Sequence, residues 1–144
     1  MASSDTPLIQ SADDRATDKQ PFVNAVVAVA AAFMLIAGVW AFVWPMSFAA
    51  VVQFPYHLHF LHDLGAFQIG IGASLLCALR WRDAITVALA GFVVATAVHA
   101  VSHFIDRDLG GRPTDWIALT ALTVIAITAL AARLRFLKER SVMP

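Results

Sequence analysis

The chain reads as an all-α integral membrane protein, a four-helix bundle of antiparallel spans with N- and C-termini cytoplasmic. Three observations predict this class. Of 144 residues, 60% are hydrophobic and 14% charged, with a mean hydropathy of +0.74, too apolar for a soluble domain of this size. The apolar residues fall into four runs of about 20, each long enough at ~1.5 Å per residue to cross a ~30 Å hydrocarbon core. The basic residues gather at one side of those runs. Ten acidic and ten basic residues cancel, so the bulk charge points neither to nucleic acid nor to an acidic partner.

Residues 1–20 are polar, with Asp5, Asp13, Asp14 and Asp18 against Arg15 and Lys19, and are expected to be a disordered cytoplasmic tail. They lack the basic start, short apolar run and small-residue cleavage site of a signal peptide. The first span, 25–44, is an unbroken apolar run that includes Gly38. Trp40 and Trp44 stand at its far end, where indoles favour the headgroup boundary, and Pro45 stops the helix. Lipid-facing Ala and Gly on this span would permit a homo-oligomer or a membrane partner subunit. The stretch 45–58 is apolar, has no Lys or Arg, and suits a short interfacial helix over the polar cluster that follows.

The second span, 59–79, opens with His57, His59, His62 and Asp63 beside it. Its small residues Ala66, Gly70 and Ser74 recur every four positions on the face of His59 and Asp63, a pattern expected to let a neighbouring helix approach closely. Arg80, Trp81, Arg82 and Asp83 form a connection so short that the third span, 84–105, must return beside the second. Asp83 is expected to cap it. Ala88, Gly91 and Ala95 lie on or beside the face that carries His99 and His103. A turn-like stretch at 108–113 follows, and Thr114 or Asp115 starts the fourth span, 116–134. Thr120, Thr123 and Thr128 can bond back to their own helix. The four-span domain thus covers 21–136, with a basic cytoplasmic tail at 137–144. The single cysteine, Cys77, excludes an intrachain disulfide and a C-x-x-C pair and reads as a small packing residue.

Arg15, Lys19, Arg80, Arg82, Arg133, Arg135, Lys138 and Arg140 fall on one side of the spans, Arg107 and Arg112 on the other. The positive-inside rule places the first set, and both termini, in the cytoplasm. The His/Asp clusters then face the extracytoplasmic side.

His99, His103 and Asp106 fall at i, i+4 and i+7 and share one helix face. Counted from mid-span, Asp63 and His99 lie about 7–10 Å from the bilayer centre on the same side. Ionisable groups at that depth are costly and tend to face a bundle interior in pairs, so a site between the second and third spans is expected. Neutral imidazole and carboxylate suit a transition metal ion such as zinc, iron, copper or manganese. His99, His103 and Asp63 form the expected ligand set, Asp106 or His62 a fourth ligand or an orienting group, and Asp115 a more remote candidate. Such an ion can acidify a bound water or polarise a carbonyl or phosphoryl oxygen, with Asp106 or His62 carrying the proton. Whether the protein is an enzyme stays open. A haem held between His99 and a histidine of the second span is an alternative, non-covalent in the absence of C-x-x-C-H. A third reading is structural: an accessory subunit, transporter or proton relay, in which His99 and Asp63 are a buried pair joining two helices. Gln68, one turn further in, can bond to either.

Along His59-Phe-Leu-His62-Asp63-Leu-Gly-Ala-Phe-Gln68-Ile-Gly70 and from Ala97 through His99, His103 and Asp106 to Arg112, the chain resembles small, uncharacterised four-span bacterial membrane proteins of the DoxX-like type. The resemblance spans roughly 22–135. It implies a four-helix bundle in the cytoplasmic membrane and carries no established activity or site residue. Links of the broader group to redox or sulfur metabolism find no cysteine motif here.

Overall fold

Pro21 and Pro45 each stand at the start of a helix. The structure is a computed structural model describing residues 20–142; all but the last residue of the expected N-terminal tail lies outside that range. Pro21 opens α1 (Pro21–Val43), a position where its missing N–H costs nothing. Trp44 closes α1, and Pro45 starts α2 (Pro45–Val52), which ends at Gln53 in the left-handed conformation (φ 56°). His57 caps α3 (Leu58–Arg80) by accepting the Phe60 N–H on Nδ1 at 3.2 Å. A 3₁₀ turn, Arg82–Ala84, leads into α4 (Ile85–Ile105), and α5 (Asp115–Val142) completes the order. Asp83 sits within the 3₁₀ turn and its side chain caps neither helix, because the turn continues into α4 without an extended cap residue. The segment expected as a basic tail is helical as far as Val142, a continuation of α5.

Four helical segments, Pro21–Val43, Leu58–Arg80, Arg82–Ile105 and Asp115–Val142, are long and apolar enough to cross a membrane. Less than a third of each apolar window is buried within the chain, which leaves wide apolar surface compatible with lipid. The threonines meet their own backbone as expected: Thr120 donates to the Trp116 carbonyl at 2.7 Å, Thr123 to Leu119 at 2.9 Å and Thr128 to Val124 at 2.8 Å.

The helices associate as two close pairs, α1 with α3 and α4 with α5, which meet along narrower α3–α4 and α1–α5 seams. Glycine makes the first pair possible. A Cβ on Gly65 would stand 2.7 Å from the Gly38 carbonyl oxygen, and one on Gly38 would stand 2.8 Å from the Ile69 nitrogen, so backbone meets backbone. Gly38 is therefore committed to α3, not left to a partner. Of the stripes expected to mediate close approach, Ala88 packs on the buried core but the other members do not. Ala66, Gly70 and Ser74 are exposed, as are Gly91 and Ala95, and nothing lies within 4 Å of a Cβ built on Gly70 or Gly91. The buried stripe of α3 is instead Leu61, Gly65, Gly72 and Leu75, on the other side of the helix. Cys77 is likewise exposed.

Two buried clusters result. One draws on all four spans, through Val23, Val27, Ala30 and Ala31 of α1, Leu75 and Ala78 of α3, Ile85, Leu89 and Phe92 of α4, and Ala126 and Ala129 of α5. At this end Arg133, 4% exposed, donates from Nη2 to the Arg82 carbonyl at 3.0 Å and ties α5 to the α3–α4 connection. The other cluster, Ala41, Phe48, Ala49 and Leu61, joins only α1, α2 and α3.

Candidate functional site

The polar residues singled out by the sequence occupy the end of the bundle away from Arg133. On α4 the four-residue spacing sets His99 and His103 side by side, their rings 4.7 Å apart between centroids at a tilt of 40°. His103 is partly buried, His99 exposed. Asp106 closes α4: its N–H donates to the Ser102 carbonyl at 2.8 Å, its carbonyl accepts from Leu109, and its residue is exposed.

The loop 106–114 brings Gly111 near His103. Gly110 and Gly111 take φ of 148° and 77°, a route open to glycine. The Gly111 N–H donates to the Gln53 carbonyl at 2.9 Å, and the Arg112 guanidinium donates to the Val51 carbonyl at 3.3 Å. Both bonds strap the loop to the end of α2. The Arg112 N–H donates to Asp115 Oδ2 at 3.0 Å, which fixes the first carboxylate of α5. Asp115 Oδ2 and His103 Cε1 then lie 3.4 and 3.9 Å from the point that a Gly111 Cβ would occupy. Asp115, the remote candidate of the sequence, and His103 thus both line the space at Gly111.

The acids and imidazoles of α3 go elsewhere. Asp63 pairs with His59 on its own helix at 3.5 Å, with side chains 57% and 85% exposed. Both sit on the outward side of α3 with Ala66, Gly70 and Ser74, opposite the stripe that packs on α1. His62 packs its ring against Phe42 of α1 at 4.9 Å, and His57 serves as the cap of α3. Gln68 lies within the buried stripe, where its Oε1 is buried and accepts no hydrogen bond from the described residues.

The expected set is thus divided: His99 and His103 together, Asp63 with His59, His62 with Phe42, and Asp106 at the helix end. Among the described residues no three His, Cys, Asp or Glu side chains already converge to hold an ion. His99 and His103 carry on one helix face the ring type that serves as a ligand for divalent metals, and Asp115 shares the surroundings of Gly111 with His103. Sequence reasoning overlooked Arg133 as a buried group, although its spacing from Ala126 and Ala129 puts it on the buried stripe of α5. No protein-family model, curated protein or solved structure matches this chain.

Proposed function

We propose that this is a multi-pass protein of the cytoplasmic membrane, with antiparallel spans and cytoplasmic termini, whose neighbouring His99 and His103 bind a transition metal ion near the extracytoplasmic face. The observation that carries the reading is the close placement of two imidazoles on one helix face at the histidine end. The excess of Lys and Arg at the opposite end supports the orientation. The DoxX-like resemblance agrees in architecture and is part of the proposal. Asp63, Asp106 and His62 remain candidate ligands in this reading only if side chains now turned to other partners redirect to the ion.

The test is elemental analysis with a visible spectrum on detergent-purified protein, prepared without chelator or a histidine tag. About one equivalent of zinc, iron, copper or manganese that His99→Ala removes supports the reading. A Soret band assigns haem instead. A colourless protein that takes up none of these metals overturns both.

One observation favours a second reading, an accessory subunit. The His59–Asp63 pair lies on an outward face of an apolar span, next to Gly70 with open space before it. Polar groups on such a face are costly in lipid and are commonly covered by protein. Retention of a partner through mild-detergent purification, and its loss in Gly70→Leu, would carry this reading; a monomer unaltered by that change counts against it.

A further inference from the structure

We propose that Asp115 is the carboxylate ligand of the imidazole pair, and that the 106–114 loop exists to present it; the inference rests on the metal reading above. Three acids at this end are poorly placed for the task. Asp63 is engaged by His59 on the outward side of α3, Asp106 is exposed at the end of α4, and Asp108 lies 3.8 Å from the Arg107 Nε with its side chain 84% exposed.

Asp115 differs in position and in support. It is partly buried, and its Oδ2 is held by the Arg112 N–H at 3.0 Å, while Arg112 itself is tied to the Val51 carbonyl of α2. A carboxylate has about four acceptor sites, so one N–H leaves capacity for an ion. Gly111 supplies the space. Its absent Cβ marks a point 3.4 Å from Asp115 Oδ2 and 3.9 Å from His103 Cε1, and its N–H bond to the Gln53 carbonyl keeps the backbone there. An ion bound at about 2.0–2.2 Å to imidazole nitrogen and carboxylate oxygen would sit between His103 and Asp115 once both side chains turn toward it in the space beside Gly111. Because Asp115 opens α5 and His103 lies in the last turn of α4, the bound ion clamps the two helices of one close pair at their joined end.

Cobalt(II) is the probe, titrated into the full-length protein in detergent and followed by its visible d–d bands, with zinc(II) in competition. Asp115→Asn keeps an oxygen for the Arg112 N–H and so preserves the loop. It is expected to weaken cobalt affinity about tenfold or more and to change the band intensity, with Asp115→Glu restoring part of the affinity. Gly111→Ala, which fills the gap and strains a positive φ, is expected to weaken binding too, whereas Asp63→Asn leaves it unchanged. Loss of binding in His103→Ala with wild-type affinity and spectrum in Asp115→Asn overturns the assignment of Asp115 and leaves the metal reading standing. Cobalt and zinc binding that neither His99→Ala nor His103→Ala alters, or no binding by the wild type, overturns the metal reading and this inference with it.

Discussion

At the end of the bundle where α3 turns into α4, buried residues of all four spans meet in one apolar cluster, whereas at the histidine end the buried cluster joins only α1, α2 and α3. The arginine end is closed by packing and by one buried guanidinium, Arg133 on the Arg82 carbonyl. At the histidine end, α4 and α5 reach the rest of the chain through polar links from a loop: Gly111 to Gln53 and Arg112 to Val51. Packing among spans is spread over many small contacts and is lost only in bulk. A few exposed hydrogen bonds break and reform at low cost, so regions held by them open first. The contrast teaches a division of labour: one end fixes where the helices stand, and the other, held by a few exposed bonds, can open while the frame holds.

Filling the tight α1–α3 crossing should give the largest effect. Gly65→Leu forces side-chain atoms into a site where even a Cβ meets the Gly38 carbonyl oxygen at 2.7 Å, and should cost about 3 kcal/mol or prevent folding. Gly70→Leu, on the open face of the same helix, should change stability by less than ~0.5 kcal/mol. Unfolding by SDS titration measures both, and equal losses would abolish the distinction between the two faces. Next comes the ligand. Zinc at 100 times its dissociation constant should raise the unfolding free energy of the wild type by about 2.7 kcal/mol and that of His103→Ala by much less. Thermal melts with and without zinc decide this, and an equal rise in both would remove His103 from the site. Arg133→Met should then cost about 1.5–2 kcal/mol, because it removes the charged hydrogen bond to the Arg82 carbonyl and loosens the α3–α4 connection. Faster tryptic cleavage at Arg80 and Arg82 is the accompanying readout; an unchanged rate would show that the guanidinium does not hold the connection.

Much of this frame was legible in the chain. Four apolar runs, Pro45, and threonines that can serve their own backbone announce the spans, the break after α1 and the polar groups that need no partner. Which faces pack was not legible, and the reason is physical. Lipid is as apolar as a helix interface, so hydropathy does not separate the inside from the outside of a membrane bundle. On α3, small residues occur on two faces, Gly65 and Gly72 on one, Ala66, Gly70 and Ser74 on the other, and only the first meets α1. Choosing the second put Asp63 on the packed side and made it a ligand of the expected site. That Asp115 and His103 share the surroundings of Gly111 was not legible for another reason: it depends on the path of a loop with two positive-φ glycines, and no helical periodicity encodes that path.

The smallest expected effect tests that exchange of roles most directly. Asp63→Asn removes the charge of a pair whose members are largely exposed, and such pairs contribute between nothing and about 1 kcal/mol once solvent screening is counted. In detergent, stability should therefore move by no more than ~0.5 kcal/mol, and metal content should equal that of the wild type. In a bilayer the same face meets lipid, and removing a charge there should be neutral or stabilising if nothing covers it, because an uncovered carboxylate is costly in hydrocarbon. A clear loss of stability in the bilayer with no loss in detergent would mean that another protein surface meets α3 along Ala66, Gly70 and Ser74. Loss of bound metal would instead return Asp63 to the site beside His99 and break the separation of the two helix pairs at the histidine end.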